Sequence, residues 1–89
     1  MRHSRTLILK NRLGLHARAA TALVQLCHQF RAEIRLEANG RQADANSVLA
    51  LLLLEGSQGL PVTVHCSGDQ AHEALEAVCG LIDAGFDED

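Results

Sequence analysis

The stretch "AEIRLEANGRQADA", residues 32–45, constrains the fold of this chain more than any other. Ala32, Ile34 and Leu36 alternate with Glu33, Arg35 and Glu37, the two-residue period of a strand with one buried face. Asn39-Gly40 follows, and this pair is the strongest short-range hairpin signal because its turn needs positive φ at both positions. The segment predicts two antiparallel strands, the second short, and a sheet face that other elements must cover.

That cover is encoded on either side. Ala20, Leu23, Val24, Cys27 and Phe30 recur at spacings of three and four, with Arg18, Thr21, Gln25 and Gln29 elsewhere on the wheel, which predicts an amphipathic helix beginning after His16. Ala71, Ala74, Leu75, Val78, Leu81 and Ile82 make a second such stripe, with Asp69 as its N-cap and Gly85 as its stop. Between them "VLALLLLE" predicts a short helix, apolar nearly all round, capped by Asn46 or Ser47 and closed by Gly56 and Gly59. Two further strands are signalled. Leu7 and Leu9 share a face of Thr6–Lys10, and Val62, Val64 and Cys66 share a face of Leu60–Cys66, opposite Thr63 and His65 and after Pro61. The order β-α-β-β-α-β-α is that of an α+β fold, a two-layer open-faced sandwich with a four-stranded antiparallel sheet and three helices on one face.

With 89 residues the chain holds a single domain, 1–89, in which almost every long apolar side chain is needed for one core. No apolar run approaches the ~18 residues of a membrane span. The opening "MRHSRTLILKNRLG" lacks the apolar region and cleavage site of a signal peptide, so a cytoplasmic protein is expected. Cys27, Cys66 and Cys79 are odd in number and form no C-x-x-C pair, which points to reduced thiols rather than a disulfide framework or a zinc knuckle. A net charge of −3, acidic residues gathered in "DED", and only two aromatics, Phe30 and Phe86, speak against nucleic-acid and membrane-surface partners. A ferredoxin-like nucleic-acid-binding domain with the same element order lacks the aromatic or basic sheet face it would need.

None of the five histidines pairs with another His or Cys at a metal-site spacing, and no metal is expected. His3, His28, His65 and His72 read as surface imidazoles. His16 differs. In "NRLGLHARAATALV" Gly14 permits a close approach, Leu15 anchors the turn, and His16 stands where a Ser, Thr or Asp cap would sit. The first amides of a helix have no intrahelical partner, and together with the helix dipole they favour an anion. Arg18 adds a guanidinium able to pair with phosphate. A neutral imidazole is a competent nucleophile at physiological pH, and the helix end that disfavours imidazolium favours an attached phosphoryl group. The chemistry suggested is reversible phosphoryl carriage.

"GLHARAA" resembles the active-site segment of the histidine-containing phosphocarrier family, HPr, of the bacterial phosphotransferase system, which usually reads G-[LMI]-H-A-R-P-A. The resemblance covers nearly the whole chain, through its length, its element order and the "ANS" before the short second helix. "DANSVLALLLL" and the ending "GFDED" look most like the nitrogen-related branch, NPr. This resemblance implies that His16 is phosphorylated through Nδ1 and that Arg18 steadies the phosphate. It places Ser47 where a dedicated kinase phosphorylates some members, although capping alone explains a serine there. It also implies an apolar docking patch around the histidine, with Ala20, Leu49, Leu52, Leu53 and Leu54 as candidates, while Ala20 by its period and most of the leucines are claimed by the core.

Ala19 departs from the family's proline. Proline in a first turn gives up only an amide that has no helical partner, so alanine preserves the helix while exchange rates can differ. The implied partners are enzyme I as donor and enzyme IIA as acceptor, of the nitrogen-branch types, with a Ser kinase as a further candidate. No cofactor is implied, and a monomer is expected. The protein would be a stoichiometric relay serving regulation, not a turnover enzyme. The alternative is a regulatory binding module on the same scaffold without phosphorylation, against which an intact His16 and Arg18 speak.

Overall fold

The structure, a computed structural model, describes residues 2–88. The hairpin forms as the local signals require. Strand β2 (Glu33–Ala38) pairs antiparallel with β3 (Arg41–Asp44), from Arg35↔Asp44 to Ala38↔Arg41, around Asn39 and Gly40 at φ 54° and 75°. Ile34, Leu36 and Ala38 face the core. Strand β4 (Pro61–Ser67) pairs with the other edge of β2, and β1 (Arg2–Ile8) with the far edge of β4. The sheet is antiparallel throughout, in the order β1-β4-β2-β3.

β1 is longer and earlier than its apolar residues predict. Arg2 to Arg5 carry no hydrophobic alternation, and their strand conformation comes from pairing with β4 from Ser67 to Val64. Toward the helices, Arg5 meets Glu76 at 2.6 Å, and the His3 and His72 rings lie 5.6 Å apart. Inward-pointing polar residues of this kind blunt an edge strand against pairing with a second chain. Leu9 lies just beyond β1, buried, and is tied by backbone bonds to Gly59 and Leu60.

Three helices cover one face. Helix α3 (Ala71–Asp83) lies against β1 and β4, while α1 (Ala17–Cys27) contacts both α3 and α2 (Val48–Leu52). Leu23, Val64, Val78 and Ile82 have no accessible surface in the core between these layers. All three cysteines are buried there as free thiols; burial pushes Cys27 up to about 12 and Cys66 up to about 11. The N-cap of α3 is Gln70, not Asp69. Its carbonyl accepts from Ala74 while its side chain accepts from the Arg31 amide, which ties α3 to the loop after α1.

Helix α2 stops at Leu52, short of the predicted run. The amide of Asn39, in the hairpin turn, donates to the carbonyls of Leu54 and Glu55, and Arg41 donates to that of Leu53. The carbonyls of Leu49, Leu51 and Leu52 accept from the backbone amides of Leu53, Leu54 and Glu55, and those of the segment just past α2 are satisfied from the hairpin. Glu55, rather than Gly56, takes the left-handed conformation at φ 55°.

The opposite sheet face is hydrophilic. Ser4 Oγ and His65 Nδ1 share a hydrogen bond of 2.8 Å, His65 Nε2 meets Glu37 at 2.9 Å, and Thr6 meets Thr63 at 2.8 Å. Among the described residues no helix is long and apolar enough to cross a membrane.

Candidate functional site

His16 is the N-cap residue of α1, with extended backbone (φ −83°, ψ 178°) and no side-chain cap bond. Its carbonyl accepts from Ala20 at 2.8 Å, the first intrahelical bond. The turn before it is fixed by contact with another loop. Gly14 has φ +62°, and the Leu15 amide donates to the Gly56 carbonyl at 3.0 Å. A β-carbon on Gly14 would stand 2.4 Å from that carbonyl oxygen and 2.8 Å from Ser57 Cα. Only glycine fits, and the buried Leu15 pins the next residue, so His16 is presented at the mouth of the helix with its side chain 25% exposed.

The imidazole is engaged on one side. Nε2 contacts Glu88 Oε2, and Glu88 Oε1 accepts from Asn11 Nδ2 at 2.8 Å. Among the described residues Asn11 is the single buried polar residue, and its Nδ2 also donates to the Gly14 carbonyl at 2.7 Å. The amide of Asn11, and after it the His16 ring and the charge of Arg18, hold the Glu88 carboxyl below the usual range against the opposing cost of its partial desolvation. Among the described residues Nδ1 of His16 takes no hydrogen bond. The ring borders an open groove shared with Arg12, Leu13, Arg18, Asp87 and Glu88.

The backbone that delivers Glu88 is unusual. After α3, Gly85, Phe86 and Asp87 take φ 64°, 56° and 59° in a 3-10 turn, three left-handed residues of which two carry side chains. Such a conformation costs about 1 kcal/mol for each non-glycine residue. Phe86, buried in the core, holds the turn in place.

Sequence reasoning locates His16 and Arg18 in this groove but misses Arg12, Asn11 and Glu88. Arg12 stands two residues before the Gly14 turn and carried a legible signal as a second cation in the histidine loop. Glu88 lies 72 positions from His16, and although Gly85 marks the end of α3, nothing in Phe86 or Asp87 signals that the left-handed conformation continues through them. Ser47 caps α2, with Oγ accepting from the Ala50 amide at 3.1 Å, and does not line the groove.

The docking candidates divide. Leu49 and Leu53 are 69% and 58% exposed and Leu52 is half-buried, whereas Ala20 and Leu54 lie in the core at 0% and 1%. Ala20 and Leu54 offer no surface to a partner, because α1 and the α2 turn pack them inward. Leu13, in the histidine loop, is 65% exposed and joins the accessible apolar set instead. His28, at the end of α1, bonds Asn46 at 2.7 Å and takes no part in the groove. Among the described residues no cluster of three His, Cys, Asp or Glu side chains can hold a metal.

Comparison with known proteins finds one family over nearly the whole chain. The family model "PTS HPr component phosphorylation site" matches residues 3–84. The phosphocarrier protein NPr of Shewanella violacea is 48% identical over 84 residues, covering 94% of this chain and 92% of that protein. NPr of Escherichia coli K12 is 46% identical over 85 residues, 94% of each. Among solved structures, an HPr from Thermoanaerobacter tengcongensis superimposes with a TM-score of 0.92 at 34% identity, covering 98% of both chains.

Proposed function

Because this chain belongs to the HPr family of phosphotransferase-system phosphocarriers, we propose that it accepts a phosphoryl group from enzyme I on His16 and passes it to an enzyme IIA. The nitrogen-related branch is the favoured system, on the strength of its similarity to NPr proteins. The observation that carries the reading is the placement of His16: a partly exposed imidazole at the start of an eleven-residue helix, with one nitrogen held and the other unengaged among the described residues.

Arg12 and Arg18 border the same groove and offer guanidinium groups to phosphate oxygens. The unpaired first amides of α1 add partial positive charge where the phosphoryl group would sit. Attack by an imidazole nitrogen makes a phosphoramidate, a bond that transfers readily, so the group is carried and not consumed. The protein then works as a cytoplasmic relay, one phosphoryl group per molecule, with Leu13, Leu49 and Leu53 as the apolar surface on which donor and acceptor dock in turn.

Incubation with nitrogen-branch enzyme I and phosphoenolpyruvate, read by intact mass, tests the reading. One acid-labile phosphoryl group is expected on the wild type and none on His16→Ala, with the fold of the variant retained. Arg18→Ala is expected to label more slowly. Labelling of His16→Ala at the wild-type rate would overturn the reading.

A further inference from the structure

We propose that Glu88 is a positioning residue that selects the reacting nitrogen of His16: its carboxylate, held by Asn11, keeps the ring proton on Nε2 and leaves the lone pair on Nδ1. The choice of phosphoryl donor rests on the carrier reading above. The placement of the proton does not.

A neutral imidazole has one N–H and one lone pair, and the partner of one nitrogen decides which is which. Glu88 Oε2 contacts Nε2. A carboxylate accepts and cannot donate, so Nε2 carries the proton. Asn11 fixes the carboxylate in turn, and its own amide cannot be reversed. Nδ2 donates to both the Gly14 carbonyl at 2.7 Å and Glu88 Oε1 at 2.8 Å, and a flipped amide would set oxygen against two acceptors. The buried Asn11 and the left-handed turn at Phe86 and Asp87 over-determine where Glu88 stands. Backbone strain held at such a place is a pointer to function.

The step balances without proton release. The Nδ1 lone pair attacks phosphorus, and the bond to the donor's leaving atom breaks with its electron pair going to that atom. The product ring is a cation whose Nε2 proton faces Glu88, and the carboxylate offsets that charge. On onward transfer the acceptor's nucleophile takes phosphorus, the P–Nδ1 electron pair returns to the ring, and the neutral Nε2–H form is restored. In the Ser-His-Asp triad, where a carboxylate likewise holds the tautomer, replacing it by the amide costs roughly 10⁴ in rate.

Glu88→Gln is a near-isosteric test. The new amide oxygen must face Asn11 Nδ2, which turns its NH₂ toward His16 Nε2 and drives the ring proton to Nδ1. Ring ¹⁵N shifts of the unphosphorylated protein are expected to report Nε2–H in the wild type and Nδ1–H in the variant. With potassium phosphoramidate, a chemical donor that needs no enzyme I, ³¹P NMR is expected to show Nδ1 phosphorylation slowed at least tenfold in Glu88→Gln. Identical tautomers in the two proteins, or an unchanged rate of Nδ1 labelling, would overturn the proposal. A lowered Tm with the tautomer unaltered would also overturn it, by reducing Glu88 to a structural role. Failure of enzyme I to label the wild type would instead overturn the carrier reading and leave the tautomer result standing.

Discussion

Gly14 approaches Gly56 so closely that a β-carbon on the first would sit 2.4 Å from the carbonyl oxygen of the second. This contact joins the histidine loop to the segment that follows α2, and it sets the position of His16 two residues later. Gly14→Ala combines a left-handed alanine with a backbone clash that no side-chain rotation relieves. Equilibrium unfolding in urea is expected to show a loss of roughly 2–4 kcal/mol, from the combined cost of αL strain and overpacking. A loss below about 0.5 kcal/mol would mean that the two loops separate freely.

Glu88 predicts a pH dependence with a definite sign. Its native carboxyl titrates below the ordinary range, chiefly through Asn11, so the native state holds fewer protons than the unfolded one as the pH drops below about 4.3. The stability it contributes is complete above that value and is lost as the pH falls through the depressed native one. Asn11→Ala removes the largest cause, and the Glu88 midpoint, followed by carboxyl NMR, is expected to move up. The slope of stability against pH below about 4.3 should flatten in the same variant.

The leucines of the α2 region divide into exposed and packed positions, and substitutions at each test different roles. Leu49→Glu changes an exposed side chain and is expected to leave the thermal midpoint within about 2 °C while raising the concentration of this protein that half-saturates enzyme I. Leu54→Ala empties a core position and is expected to cost about 2–5 kcal/mol of stability. An unaltered transfer curve for Leu49→Glu would place the contact surface elsewhere.

Ser47 caps α2 through a single hydrogen bond to Ala50. Ser47→Ala is expected to cost about 1 kcal/mol and Ser47→Asp to cost less, because aspartate caps nearly as well. If enzyme I docks beside this helix, Ser47→Asp should weaken association while leaving the melt unchanged, as a new anion enters an apolar contact. A transfer curve unaffected by the aspartate would leave Ser47 with the capping role alone.

Much of this was legible because it is local. Asn39-Gly40 demands its turn wherever it stands, and the stripes of α1 and α3 need only a sheet to lie on. Val62, Val64 and Cys66 read as an inward face and are one. Non-local causes were hidden. The first half of β1 is a strand because β4 is beside it, and the chain just past α2 leaves the helix where Asn39 and Arg41 bond the carbonyls of Leu53, Leu54 and Glu55. The apolar run "VLALLLL" could not reveal which leucines face outward, since a five-residue helix is too short for a period to declare itself. At the site, the position of His16 followed from its neighbours, whereas the Glu88 contact depends on how the chain turns after α3.

Asn39 ties the tip of the β2–β3 hairpin to the segment just past α2, and the two are expected to open as a single unit of local unfolding. Hydrogen exchange at the two should rise and fall together, with neither fraying alone. Leu49 and Leu53 therefore stand on a surface whose conformational freedom was surrendered at folding. A partner arriving there has little ordering left to impose, so less of the contact free energy is lost to fixing this surface.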